Sequence, residues 1–192
     1  MTTNLTPKLI EGRITLPTST SSPKRDISES SPATSVMTDL TIIKPIKIKH
    51  NALIDAINEK MISSGVRLLF INGIEGNLIG LITSFDILGE KPLKFIQENG
   101  GRHDEIEASD IMTPITKFEC ISFDEIEKAT VADIVDALEN SRRHHMLIVD
   151  NSGESSYIRG LISASHVARV LGREISASQR AQSFAQLNKA LS

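Results

Sequence analysis

The apolar and polar positions of the chain predict one order of secondary structure. Residues 45–49 alternate apolar and charged side chains, and apolar residues at helical spacing follow up to Met61, which predicts a short strand and then a helix. Two apolar runs, residues 66–71 and 78–82, flank a segment rich in Gly and Asn and therefore predict two strands joined by a turn. The second run leads directly into residues 83–88, a predicted short helix. The order is β-α-β-β-α.

The second half of the chain repeats this order at an offset of about 80 residues. Gly80-Leu81-Ile82-Thr83 matches Gly160-Leu161-Ile162-Ser163, and Thr130 stands before a helix with one apolar face. A unit of about 50 residues is too short to bury a stable core alone. We therefore expect an α/β fold in which two β-α-β-β-α repeats pack against each other about a pseudo-twofold axis.

The ends of the chain differ from the repeats. The first 40 residues hold 15 Ser or Thr and no aromatic residue, so residues 1–35 are predicted to be a flexible tail. The first repeat is assigned to 36–100 and the second to 101–172. Residues 173–192 are predicted to form a C-terminal helix, whose apolar stripe around Phe184 would cover the module itself or a second chain.

Composition narrows the function classes. A net charge of −3 is too weak to indicate a nucleic-acid or membrane-surface partner, and no run approaches the roughly 18 apolar residues of a membrane span. The single cysteine, Cys120, excludes a multi-cysteine zinc site, suits a reducing cytoplasm and is expected to be a buried small side chain. The acidic run 124–127 is expected to be a solvated loop. We predict a cytoplasmic protein without a metal or a required cofactor.

Three motifs occur in the same order in both halves. They are Met37-Thr38 and Met112-Thr113-Pro114, the strand ends Phe70-Ile71-Asn72 and Ile148-Val149-Asp150, and the segment Gly80-Leu81-Ile82-Thr83-Ser84-Phe85-Asp86 with its counterpart from Gly160. Over residues 36–172 the chain therefore resembles the cystathionine-β-synthase (CBS) domain pair, or Bateman module. The resemblance implies a non-enzymatic regulator that binds AMP, ADP, ATP or S-adenosylmethionine in a cleft between the repeats. It also implies a homodimer and a regulated protein partner.

The resemblance assigns the phosphate and the ribose of the nucleotide to Thr83 and Asp86. The alternative is a helix cap made by these two residues, with no ligand. In the second repeat Ser163 keeps the hydroxyl, but His166 replaces the aspartate. Neutral imidazole has one acceptor nitrogen and is a poorer partner for a ribose diol. The second cleft is expected to be empty, the alternative being a ligand whose phosphate faces His166.

Two further groups of residues are candidate nucleotide contacts, the first from the resemblance and the second from its charge. The segments that begin at Met37 and Met112 would pass over the adenine, and ordinary packing is their alternative role. Their candidate contacts are Thr38, Thr41, Ile42, Thr113, Pro114, Ile115 and Thr116. A basic cluster would contact the nucleotide phosphate or, alternatively, form a solvated helix end; it comprises Arg142, Arg143, His144 and His145.

Two other function classes stand beside the nucleotide sensor. The first is a structural or protein-interaction module that binds no nucleotide, which the departure at His166 favours. The second is an enzyme such as a nucleotide hydrolase. The sequence supplies no metal cluster and no nucleophile elbow for it, so we predict that the protein is not an enzyme.

Overall fold

The computed structural model describes residues 8–9, 27–141, 143–153 and 155–175. It divides the chain into a continuous unit, Pro45–Phe118, and a split unit, which comprises the described residues of Met1–Lys44 and Glu119–Ser192. Arg142, most of the predicted tail and residues 176–192 of the predicted C-terminal helix lie outside the described residues.

Nine strands and seven α-helices are described. The strands are β1 Lys8–Leu9, β2 Thr38–Asp39, β3 Lys47–Lys49, β4 Leu68–Asn72, β5 Leu78–Thr83, β6 Thr113–Pro114, β7 Glu119–Ser122, β8 His145–Asp150 and β9 Tyr157–Ser163. The helices are α1 Ile54–Ser64, α2 Ser84–Leu88, α3 Lys91–Asn99, α4 Ala108–Ile111, α5 Phe123–Lys128, α6 Val131–Ser141 and α7 Ala164–Leu171. Short 3-10 helices span Ala33–Val36, His103–Glu105 and Ile115–Lys117.

The continuous unit contains a four-stranded sheet in the order β3-β4-β5-β6. β3 and β4 are parallel because α1 connects them, whereas β4, β5 and β6 pair antiparallel. Helix α1 ends at Gly65, whose φ of 63° is left-handed and suits glycine. The apolar face of α1, with Ile57 and Met61, packs in one core with Leu69 and Ile82. This packing holds the β5–α2 junction in place.

The split unit contains a five-stranded sheet in the order β1-β7-β8-β9-β2. β7 and β8 are parallel, and the other pairs are antiparallel. Its core gathers the apolar face of α6, including Ile134 and Leu138, with Ile148 of β8 and Ile162 of β9. Both units therefore contain the predicted β-α-β-β-α order, and the predicted α/β fold is confirmed.

Three details in the split unit differ from expectation. The acidic run 124–127 is not a loop but belongs to α5, because Ser122 caps that helix and Glu125 accepts hydrogen bonds from the Ser122 amide and hydroxyl. Cys120 is half-buried on β7 rather than buried. Ala33, within the segment predicted as tail, is fully buried in the core of this unit.

Candidate functional site

Thr83 and Asp86 form a reciprocal cap where β5 runs into α2. The Thr83 amide and hydroxyl both donate to Asp86 Oδ2 at 2.7 Å, and the Asp86 amide donates to Thr83 Oγ1 at 3.3 Å. The Asp86 side chain is 13% exposed. The capping arrangement weighed against ligand binding is thus present, and it fixes the carboxylate at the junction.

Lys91 joins this cap to the short strand β6. Its ammonium donates to Asp86 Oδ1 at 2.7 Å, to the Ile111 carbonyl at 2.9 Å and to Thr113 Oγ1 at 3.1 Å. Asp86, a candidate for the ribose, and Thr113, a candidate for the adenine, therefore both bind the Lys91 ammonium. Sequence reasoning missed Lys91, whose one signal is its position before Pro92 at the start of a predicted helix.

The remaining candidates of the continuous unit follow Thr113. Thr113 lies opposite Leu81 and Pro114 opposite Gly80 in the β5–β6 ladder. Ile115 and Thr116 belong to the 3-10 helix Ile115–Lys117, which packs against β5, and Thr116 is exposed. The strand pairing therefore brings these residues beside the motif of the first repeat, Gly80 to Asp86.

Ser163 and His166 occupy the corresponding junction between β9 and α7. Ser163 makes no side-chain cap; its hydroxyl lies 2.9 Å from that of Ser165. His166 Nδ1 lies 2.9 Å from Arg169 Nη2. Because a guanidinium only donates, Nδ1 accepts and the proton of the neutral ring is on Nε2. Burial and then the charge of Arg169 lower the pKa of His166 below its ordinary 6.5. This ring offers no acceptor to a ribose hydroxyl.

Thr38, Thr41 and Ile42 lie beside β9 in the split unit. Thr38 pairs with Leu161, and the amide and hydroxyl of Thr41 donate to Asp39 Oδ1 at 2.8 and 2.5 Å. The Ile42 amide donates to the Asp39 carbonyl at 3.1 Å. These contacts form a local turn around Asp39.

Asp39 anchors a polar network that sequence reasoning did not identify. Arg159 donates to both Asp39 oxygens at 2.9–3.2 Å, and its guanidinium lies 4.5 Å from the centroid of the Phe123 ring. Arg159 Nη1 also lies 3.7 Å from Asp150 Oδ2, which accepts from the Tyr157 hydroxyl at 2.9 Å. The network fastens β2 to β9 across 120 residues of sequence.

The charges in this network shift the pKa values of its members. Burial acts to raise the pKa of Asp39, but hydrogen bonds from Arg159 and Thr41 outweigh it and hold that pKa below its ordinary 3.8. Hydrogen bonds from Ser152 lower the pKa of Asp150, which is buried. Asp39 raises the pKa of Arg159. These residues are therefore charged at neutral pH and stabilise one another.

The described part of the basic cluster lies beside Ser163. His145 is paired with Ser163 across the β8–β9 ladder, and the His144 carbonyl accepts from the Ala164 amide at 2.9 Å. Burial lowers the pKa of His144. Arg143 is exposed and lies 3.6 Å from Glu119. The fourth candidate, Arg142, is outside the described residues.

The described residues contain neither a membrane-spanning helix nor a cluster of metal ligands. No helix among residues 27–141, 143–153 and 155–175 has the length and apolar character needed to cross a membrane. In the same part of the chain, no group of three or more His, Cys, Asp or Glu side chains is arranged to hold a metal ion.

Comparisons with known proteins identify a domain and a fold. The family model of the CBS domain matches residues 33–92. No curated protein matches the sequence. The structure of an uncharacterized conserved protein from Pyrococcus horikoshii is similar with a TM-score of 0.52 at 20% identity, and the match covers 74% of this chain and 93% of that one. This likeness shows the fold.

Two solved structures with bound adenosine compounds have lower TM-scores. CBSX2 from Arabidopsis thaliana in complex with AMP has a TM-score of 0.47 at 18% identity, over 72% of this chain and 94% of that one. The CBS domain pair of protein MJ0100 with 5′-methylthioadenosine and S-adenosyl-L-methionine has a TM-score of 0.49 at 19% identity, over 74% and 96%.

Proposed function

We propose, from the premise that the chain belongs to the CBS-domain family, that it is a non-enzymatic regulatory module which binds an adenine nucleotide. The binding site lies in the continuous unit, at the junction of β5 and α2. Asp86 accepts from the ribose, Thr83 orients the Asp86 carboxylate through the cap, and β6 with the residues after it contacts the base. The ligand is AMP, ADP, ATP or S-adenosylmethionine.

The observation that supports this proposal most is that Asp86 and Thr113 both accept hydrogen bonds from the Lys91 ammonium. Thr113 lies 27 residues beyond Asp86, yet both belong to the set that the family resemblance implies. The Asp86 carboxylate is oriented by Thr83 and is still 13% exposed. A fixed, charged acceptor of this kind binds a hydroxyl group more tightly than a neutral one.

The corresponding position of the split unit is proposed to bind no ribose. Neither nitrogen of the neutral His166 ring can accept from a ribose hydroxyl. Nδ1 already accepts from Arg169, and Nε2 carries the proton. Loss of a charge-assisted hydrogen bond costs about 1.5–3 kcal/mol, which is roughly one to two orders of magnitude in affinity. We therefore expect one nucleotide per chain.

A second candidate is a protein-interaction module that binds no nucleotide. It is favoured by the hydrogen bonds that Asp86 already makes to Thr83 and Lys91, since a satisfied carboxylate needs no ligand. In that case Asp86 stabilises the fold, and nucleotides leave the free energy of unfolding unchanged.

A thermal-shift panel separates the two candidates. Wild-type protein is heated with AMP, ADP, ATP, S-adenosylmethionine and GMP, and a ligand at about 100 times its Kd should add roughly 2.7 kcal/mol of stability. Asp86→Asn, which loses the charge-assisted hydrogen bond, should reduce the added stability at the same ligand concentration to about 0.4–1.4 kcal/mol. Glu125→Gln is the matched control, because Glu125 forms the same kind of cap with Ser122 in the other unit. No shift with any adenosine compound in nucleotide-free protein favours the interaction module.

Occupancy is proposed to reach a protein partner through a homodimer. Lys91 is the first residue of α3, so a ligand at Asp86 lies next to the start of that helix. Any such signal requires that the ligand binds two arrangements of the protein with different affinity. Sedimentation velocity with and without the nucleotide that gives a thermal shift tests the homodimer.

A further inference from the structure

The Asp86 carboxylate has little capacity left for a ligand. An ionised carboxylate has about four acceptor positions, two on each oxygen. The Thr83 amide and hydroxyl, both at 2.7 Å, fill the two positions of Oδ2. Lys91 at 2.7 Å fills one position of Oδ1. One acceptor position therefore remains for a ribose that carries two adjacent hydroxyl groups.

Lys91 is well held in its place. An ammonium has three N–H donors, and Asp86 Oδ1, the Ile111 carbonyl and Thr113 Oγ1 accept all three. Pro92, the next residue, is buried and anchors the start of α3. A ribose hydroxyl that displaced Lys91 would separate two opposite charges and break a charge-assisted hydrogen bond. The ribose therefore binds more favourably to the position that Lys91 leaves open.

We propose that Lys91 is a positioning residue that restricts Asp86 to one ribose hydroxyl. The inference rests on the proposed nucleotide site and defines its ligand class more narrowly. The site accepts adenine nucleotides that lack one specific ribose hydroxyl, and it discriminates against those that lack the other. Without Lys91, Oδ1 has two free positions and the carboxylate binds both hydroxyls.

The test compares AMP with 2′-deoxy-AMP and 3′-deoxy-AMP by isothermal titration calorimetry on the full chain. For the wild type, one deoxy analogue should bind within threefold of AMP and the other about tenfold more weakly or worse. In Lys91→Met both analogues should lose about tenfold relative to AMP. Lys94→Met is the control, since Lys94 is an exposed lysine on the same helix, paired with Glu90 at 3.3 Å, and should keep the wild-type ranking.

The results distinguish failure of the proposed Lys91 role from failure of the proposed nucleotide site. If both analogues bind the wild type tenfold more weakly than AMP, or both bind as tightly as AMP, the restriction by Lys91 is wrong while the nucleotide site stands. If the ranking of the analogues is the same in Lys91→Met as in the wild type, the role of Lys91 is also wrong. If none of AMP, ADP, ATP and S-adenosylmethionine binds the wild type, the proposed function fails. If one of the others binds in place of AMP, its 2′-deoxy and 3′-deoxy analogues replace those of AMP in the comparison. The comparison of AMP with its two deoxy analogues in the wild type tests the restriction to one hydroxyl even if Lys91→Met does not fold.

Discussion

Met37 crosses Gly160 so closely that a Cβ atom on the glycine would lie 2.5 Å from the methionine sulfur. The same relationship recurs in the continuous unit, where a Cβ on Gly80 would lie 2.7 Å from the sulfur of Met112. In both cases the Met-Thr segment leads into a short strand that pairs beside the glycine. The close approach explains why Met-Thr and Gly appear together in both halves of the sequence.

Gly80→Ala should destabilise the protein more than Gly160→Ala. At Gly80 the new methyl group would also meet the Thr113 carbonyl oxygen at 2.8 Å, which is backbone, whereas at Gly160 the nearest backbone atom is 3.2 Å away and the closer atoms belong to the flexible Met37 side chain. We expect a loss of about 1–3 kcal/mol at Gly80 and less at Gly160. Urea unfolding measures both losses, and an equal or reversed order would contradict the account.

Arg159→Met should cost about 3 kcal/mol of unfolding free energy, because it leaves the largely buried carboxylate of Asp39 without its cation. Asp39→Asn should also destabilise, and the double variant should lose clearly less than the sum of the two single losses. A double-mutant cycle by chemical denaturation gives the coupling. Additive losses would show that the two side chains do not stabilise each other.

Stability should fall as the pH falls through 3.8. The pKa values of Asp39 and Asp150 are lower in the folded protein than their ordinary value, so the unfolded chain binds more protons in this window. The stabilisation is complete above pH 3.8 and is lost as the pH approaches the folded pKa values. Unfolding free energies from pH 6 to 2 test this, and Asp39→Asn should flatten the slope. An unchanged slope in that variant would refute the assignment to Asp39.

Arg169→Gln should raise the pKa of His166. The charge of Arg169 lowers this pKa but is the smaller cause, so burial should still keep it below 6.5. His144 is the internal control, since burial alone lowers its pKa. NMR titration of the imidazole resonances reports both groups. A fall in the His166 pKa, or an equal rise for both histidines, would be inconsistent with the contact between His166 and Arg169.

The sequence predicted the repeated elements well because their apolar faces are regular. Residues 66–71 and 78–82 became β4 and β5 with small shifts at the ends. The prediction of a loop for the acidic run was wrong because it considered only the charges of the run. It overlooked the helix cap formed by Ser122 and Glu125 and the apolar Ile126, which is buried. Spacing alone also did not indicate that β2 pairs with β9 and that β6 pairs with β5.

The sequence predicted the site residues that belong to a short motif, but not the contacts between residues far apart in the sequence. Thr83 and Asp86 are three residues apart, and their cap can be expected from that spacing alone. The contacts of Lys91 with Thr113 and of Arg159 with Asp39 have no local signal, because only the strand pairing brings these partners near. Long, flexible basic side chains have many possible partners in a sequence, and the fold selects among them.

The central claim is that one adenine nucleotide binds per chain, at Asp86. Equilibrium dialysis with radiolabelled AMP, ATP and S-adenosylmethionine on nucleotide-free protein tests this claim most directly, by counting bound ligand for the wild type and Asp86→Asn. The account predicts one equivalent per chain for at least one of these ligands in the wild type and a Kd about tenfold to a hundredfold weaker in the variant. No binding of any of them to the wild type, or a Kd that is unchanged in Asp86→Asn, would contradict it.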